Sequence, residues 1–198
     1  MTGKSNLLPP GQHEIKNLLK WGIDHPTISG SVPTLDLNNW VLTVYGDVAS
    51  AVKLNWQDFL GLPKTQSTSN FHCVEGWSVL HLTWEGVSFE ELVKLVKPKS
   101  VAKYVLFECA DQYTTSLSLE ELLHEKALLA YKLNKKYLDI CFGAPLRLII
   151  PNKYAYKNAM WLQKIRFTSQ KEFGYWEKRG YSDTAAVWMN DRFRKVQN

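Results

Sequence analysis

The chain lacks what a disulfide scaffold, a membrane span or a nucleotide loop is built from. Its 198 residues hold three cysteines, Cys73, Cys109 and Cys141. That odd number, with no CxxC spacing, argues against a disulfide framework and against a structural zinc site. No apolar run approaches the length that crosses a bilayer, because Lys, Glu or Pro interrupts each one within a few residues. Met1–Asn6 carries neither an apolar signal core nor twin arginines. The sequence therefore reads as cytoplasmic, with no direct membrane insertion. Neither GxGxxG nor a Walker loop is present, which removes the main support for nicotinamide or ATP chemistry. Haem, flavin and iron–sulfur signatures are missing too.

Charge is also thin. The net +5 is spread along the chain, with short basic clusters only at 97–103, 132–136 and 192–195. A nucleic-acid surface would need a denser stripe with interleaved aromatics, so no nucleic-acid partner is expected. What is present is an ordinary globular composition, 45% hydrophobic and 22% charged, with eight tryptophans to fill a core or line a pocket. The length suits one buried core, and residues 1–198 read as a single domain.

Residues 1–33 form a polar arm with one amphipathic stretch, Ile15, Leu18, Leu19 and Trp21. From Trp40 the pattern turns to period two, with Trp40, Leu42 and Val44 on one face up to Gly46. Asn55 caps a short helix through Leu60, stopped by Gly61 and Pro63. Alternation over 66–74 predicts a strand ending at Glu75-Gly76, which leaves Cys73 at the strand end. Ser88-Phe89-Glu90-Glu91 and Ser118-Leu119-Glu120-Glu121 are capping boxes opening two further helices. Strands are predicted over 101–109, 128–133, 145–150 and 161–168. Short strands separated by single helical turns give an α+β domain with mixed β-sheets and short flanking helices.

Cys73 sits in His72-Cys73-Val74-Glu75-Gly76-Trp77, at a strand end beside a flexible glycine and a large aromatic. Such a thiolate suits a soft or high-valent metal, and a nearby cation would lower its pKa. Taken alone, the cysteine has a second reading as a small buried hydrophobe.

Seven ordered segments resemble the sulfite-oxidase and methionine-sulfoxide-reductase superfamily of molybdopterin enzymes. They are Leu8–Gln12, Trp40–Gly46, Phe71–Ser78 with Thr83–Val87, Ala110–Leu117, Gly143–Pro151, Tyr154–Lys157 and Tyr175–Tyr181. The resemblance implies the sulfite-oxidase molybdopterin-binding fold and a Mo-molybdopterin cofactor with one pterin per molybdenum. By resemblance Cys73 is the catalytic thiolate and sole protein ligand on the metal, since no His or carboxylate cluster accompanies it in the sequence. Arg147 reaches the pterin or its phosphate, and Lys157 with Asn158, Ala159 and Met160 forms a phosphate turn. Asn17, Lys20 and Trp21, on the 1–33 arm, close over the cofactor. His72 and Asp111 line the pocket and relay a proton, or serve structural hydrogen bonds. Cys109 lies either beside the metal loop or in the core.

Three positions depart from the family pattern. Phe142 stands where relatives carry His or Asn, Met160 where they carry Lys, and Ala186-Val187-Trp188 where they carry Asp-Pro-Trp. Lys20, Lys153 and Lys157 are candidates to compensate. Trp77 occupies the neighbourhood where sulfite oxidases hold their substrate with arginine, so an apolar wall is expected there. The expected function is two-electron oxygen-atom transfer, reducing a small S-oxide or N-oxide with electrons from a separate protein. A sulfite dehydrogenase and a degenerate, cofactor-free binding domain are the alternatives.

Overall fold

The computed structural model describes residues 8–195; the Met1–Asn6 stretch read above for a leader lies outside them. Two mixed sheets carry the fold. The first is built around β5 (Trp77–Ser88), which pairs antiparallel with β4 (Lys64–His72) and β8 (Leu128–Leu133), and parallel with the short β1 (His13–Glu14). β10 (Arg147–Ile149) and β9 (Lys136–Tyr137) extend it from β8. The second sheet runs β3 (Val52–Asn55), β2 (Val41–Gly46), β11 (Leu162–Thr168), β6 (Tyr104–Cys109) and β7 (Thr114–Ser118), with only β2 and β11 parallel. Three short helices flank them: α1 (Trp56–Leu60), α2 (Phe89–Val96) and α3 (Leu119–His124). The α+β class with mixed sheets and short helices expected from the sequence is the architecture observed.

Local chemistry explains most boundaries. In β2, Leu42 and Val44 are fully buried while Val41 faces out, continuing the period started by Trp40. Asn55 and Asp58 bond each other's backbone N–H, closing a reciprocal capping box on α1. Ser118 and Glu121 do the same for α3. At α2 the box is half formed. Ser88 accepts from the Glu91 N–H, but the Glu91 carboxylate pairs with Lys94 at 2.5 Å.

Five strands escaped the sequence reading, the two-residue β1 and β9 among them. β3 is four residues long, and β7 was read as a loop beside the metal. The twelve-residue β5 hid because both of its faces are packed, Trp84 in the smaller core cluster and Val87 in the larger, so apolar residues occur on both. Gly86 lets β8 approach: a Cβ there would lie 2.1 Å from the Leu129 carbonyl oxygen.

The larger core cluster joins the second sheet to α1, α2 and β10-flanking residues such as Leu146 and Ile150. A smaller one gathers Phe71, Cys73, Trp77 and Trp84 from the β4–β5 pair with Leu18 of the arm. The second cluster positions the site.

Candidate molybdopterin site

Cys73 is the first residue after β4, in the turn to β5. Its N–H donates to the Trp77 carbonyl at 2.8 Å and its carbonyl accepts from the Gly76 N–H at 3.1 Å. Gly76 has φ +104°, a left-handed conformation that a side chain would strain. Both ends of the chain clamp this turn. Gln12 Nε2 donates to the Cys73 carbonyl at 3.0 Å, and Arg192 Nη1 donates to the Val74 carbonyl at 2.8 Å. Behind the turn, the Ser78 hydroxyl donates to Gln12 Oε1 at 2.9 Å, which leaves it to accept from His72 Nδ1 at 2.7 Å. Burial holds His72 neutral, with its pKa lowered to about 4. His72 therefore supports the turn from behind, and Cys73 is the residue of the pair that faces the cleft.

The cleft has a volume of about 160 Å³. Trp21, Tyr156, Trp161, Trp176 and Tyr181 give it aromatic walls, and His25, Glu75, Asp111 and Arg147 are its charged or titratable lining groups. The Cys73 thiol lies 3.7 Å from Glu75 Oε2, and burial pushes its pKa up to about 12. It is an inert thiol until a cation reaches it.

Arg147 opens β10 and is buried between the rings of Phe71 and Trp84, at 5.2 and 5.3 Å from their centroids. Nη1 donates to the Phe142 carbonyl at 2.9 Å, Nη2 to the Asn158 carbonyl at 3.4 Å, and the buried Nε has no partner. Burial lowers the guanidinium pKa, so an anion in the cleft would gain from meeting it. Asn158 and Met160 also line the cleft. Asn158 Oδ1 is held by the Ile150 N–H, and Met160 lies over Gly143, where a Cβ would come within 2.9 Å of it. Ala159 is buried one residue behind, its carbonyl accepting from Leu148 N–H at 2.8 Å.

The remaining expected site residues fall elsewhere. Lys157 is fully buried, paired with Glu177 and donating to the Ser116 carbonyl at 2.9 Å. Lys153 is held by Glu121 at 2.7 Å. Neither ammonium lines the cleft, and of the three lysines suggested to compensate for Phe142 and Met160 only Lys20 is without an ion pair among the described residues. Lys20 and Asn17 line a second, more open cleft of about 790 Å³ together with Phe142, while Trp21 alone of the three arm residues reaches the Cys73 cleft. Cys109 ends β6 inside the larger core cluster.

Two expectations need correction. Trp77 does not wall the cleft; it is buried beneath the turn against Phe71, and its Nε1 donates to Glu75 Oε2 at 3.0 Å. Cys73 is also not without His and carboxylate company. His25 and Glu75 bring their ligand atoms to within 4.8 Å of its sulfur and of each other. Glu75 was visible in the cysteine motif, but His25 lies 48 residues before Cys73 and only the folded arm brings it there.

Residues 29–176 match the oxidoreductase molybdopterin binding domain. The chain is 37% identical over 166 residues to the uncharacterized oxidoreductase YuiH of Bacillus subtilis, covering 83% of this chain and 84% of that protein. It is 34% identical over 151 residues to the putative protein-methionine-sulfoxide reductase subunit YedZ1 of Azospira oryzae (76% and 57% covered). It is 29% identical over 184 residues to the protein-methionine-sulfoxide reductase catalytic subunit MsrP of Campylobacter jejuni (84% and 62%). The chain thus spans less than two thirds of the two reductase subunits. In fold it resembles the sulfane dehydrogenase SoxCD from Paracoccus pantotrophus, with a TM-score of 0.67 at 17% identity over 79% of this chain and 46% of that one. Among the described residues no helix is long and apolar enough to cross a membrane. By the family match, the chain belongs to the oxidoreductase molybdopterin binding domain family and is a molybdenum-dependent oxidoreductase of the sulfite-oxidase fold.

Proposed function

We propose that this chain performs two-electron oxygen-atom transfer in the reducing direction, on a small S-oxide or N-oxide. Cys73 is the protein ligand of a molybdenum carried by one pterin. The residues suit such a group: a soft sulfur faces the cleft, and Arg147 beside it keeps a buried Nε without a protein partner. Arg147, Asn158, Met160 and Trp21 would hold the cofactor. When bound, it supplies the two-electron redox chemistry, and the protein supplies orientation and electrostatics.

The observation that carries the choice of substrate is the lining of the cleft. Glu75 and Asp111 are its acids, and its walls are aromatic. With Arg147 engaged by the cofactor, an anion such as sulfite would face the Glu75 carboxylate, whereas a neutral oxide meets apolar rings. Releasing the oxygen as water consumes two protons along with the two electrons. Asp111 is placed to supply one. Burial raises its carboxyl pKa above the ordinary value and so favours the form that can donate. The electrons come from a separate donor protein, since the sequence carries no haem, flavin or iron–sulfur signature of its own. Relatives named as subunits of protein-methionine-sulfoxide reductases support both the direction and the separate donor.

The test is a pair of steady-state assays on protein from a host that makes the cofactor, with molybdenum and oxidised-pterin fluorescence measured on the same sample. Methionine sulfoxide with a viologen donor should be turned over, and sulfite with an electron acceptor should not. Efficient sulfite oxidation without reductase activity would overturn the direction. Absence of both metal and pterin would remove the cofactor assignment.

A further inference from the structure

We propose that the cofactor-free chain binds one zinc-class divalent ion through His25 Nε2, Cys73 Sγ and Glu75 Oε2, pinning the N-terminal arm over the cleft. The ion occupies the place of the cofactor's metal ligand, so the two are mutually exclusive.

The spacing of the three atoms is the first argument. His25 Nε2 lies 3.3 Å from Glu75 Oε2, and Cys73 Sγ lies 3.7 Å from the same oxygen. All three ligand atoms fall within 4.8 Å of one another. A tetrahedral zinc with bonds of about 2.0–2.3 Å separates its ligand atoms by roughly 3.3–3.6 Å along each edge. Two of the three edges thus stand at about the spacing a metal would impose, and the third, between His25 and Cys73, lies within 4.8 Å, a closure that side-chain rotation can supply.

The second argument is the outer shell. His25 Nδ1 lies 2.9 Å from the Pro26 carbonyl, and a carbonyl can only accept, so Nδ1 carries the proton in that bond. In the neutral ring the lone pair is then on Nε2, facing the Glu75 carboxylate. That approach of 3.3 Å is satisfied by a proton on Nε2, which makes an ion pair, and equally by a metal ion that displaces the proton. Backbone-bonded Nδ1 with a free Nε2 is the arrangement metal-binding histidines use. Trp77 Nε1 donates to Glu75 Oε2 at 3.0 Å and Trp21 flanks the His25 ring at 5.0 Å, so neighbouring rings fix where both ligand groups stand. The set is imidazole, thiolate and carboxylate, one of each, with the cleft leaving room for a water as fourth ligand. That composition suits zinc or cobalt and differs from the all-cysteine structural sites that the sequence excludes.

Binding replaces the Cys73 S–H bond by a sulfur–metal bond, the proton passing to solvent, with no change of oxidation state. The consequence is a capped thiol, held as a thiolate by the ion until the cofactor takes its place.

The test uses the full chain from a host unable to make the pterin, so its result stands whether or not the substrate reading above survives. Titration with Co²⁺ should give one equivalent bound, a sulfur-to-metal charge-transfer band in the near ultraviolet, and displacement by Zn²⁺. His25→Ala and Glu75→Gln should each weaken binding by at least about tenfold, the lower end of what losing even an outer-shell partner costs. Cys73→Ser should remove the charge-transfer band. Thermal melts without metal establish that the variants are folded, and because His25 and Glu75 sit on separate segments, either folded variant suffices. Binding without the charge-transfer band, or undiminished in both variants, would overturn the proposal. So would molybdenum-loaded protein that still takes up cobalt with the same band.

Discussion

Arg192 reaches across 118 positions of sequence to donate from Nη1 to the carbonyl of Val74 at 2.8 Å, so the C-terminal tail holds the residue next to Cys73. Its Nη2 donates to the Gly11 carbonyl at 3.0 Å, and Nε to Asn190 Oδ1 at 2.9 Å. One guanidinium therefore ties the Cys73 turn to the 190–194 segment and to Gly11, a task that needs its fork of fixed donors.

Arg192→Ala should destabilise the fold by about 1–3 kcal/mol, the range for losing hydrogen bonds to a charged donor. The half-buried Val74 carbonyl keeps some access to water, which favours the lower end. Loss of turn geometry should exceed loss of stability, so molybdenum content after purification should fall more than the urea midpoint. Arg192→Lys keeps the charge but cannot span both carbonyls, and it should recover little of the metal content. Full metal content in Arg192→Ala would show that the clamp is dispensable.

Much of this fold was legible because local signals agreed with their tertiary setting. Leu42 and Val44 alternate, Asn55 and Ser118 cap, and Gly76 follows the cysteine. What stayed hidden depended on pairing or on long-range approach. β5 lost its period because Trp84 and Val87 pack in different core clusters, which leaves no solvent-facing side to alternate. Trp77 looked like a pocket wall because sequence spacing places a residue near Cys73 without fixing the face it turns to. The strand's first residue points beneath the turn, into the Phe71 cluster. Lys157 looked like a phosphate ligand, and nothing local shows that Glu177, twenty positions on, is paired with it.

That Lys157–Glu177 pair is the most deeply buried ion pair among the described residues, with both side chains at 0% exposure. Thr115 Oγ1 donates to Glu177 Oε1 at 2.8 Å, but Oε2 has no partner, so the desolvation of the carboxylate is only partly offset. Lys157→Met should cost roughly 3–5 kcal/mol, because it strands a buried carboxylate. Lys157→Met combined with Glu177→Leu should recover most of that loss, since an apolar pair removes both desolvation terms. Equilibrium denaturation of the two singles and the double forms the cycle that decides it. A double variant as unstable as the worse single would mean that the pair, and not merely its balance, fixes the packing of the tail on the 155–157 turn.

Met160 offers the sharpest test of how the proposed cofactor would be held, because the resemblance leads one to expect lysine there and the structure puts Met160 at the cleft. The thioether lies over Gly143, and the backbone of this turn faces Arg147 through the Asn158 carbonyl. Met160→Lys adds a cation to a site where Arg147 already lies buried with an unpartnered Nε. Without an anion to meet, the two positive groups repel in a poorly solvated cleft, so the cofactor-free variant should melt at a lower temperature than the parent chain. With a phosphate-bearing pterin bound, the same lysine gains a charge-assisted contact that methionine cannot make. Retention should therefore rise while stability of the empty protein falls. On prolonged dialysis the variant should lose pterin about tenfold more slowly, which corresponds to ~1.4 kcal/mol. The measurement is oxidised-pterin fluorescence remaining on the protein against time, beside melts of cofactor-free samples. If the lysine lowers the melting temperature but leaves pterin loss unchanged, the phosphate lies outside its reach. The anion site would then have to be sought at the second cleft, where Asn17 and Lys20 stand with Phe142.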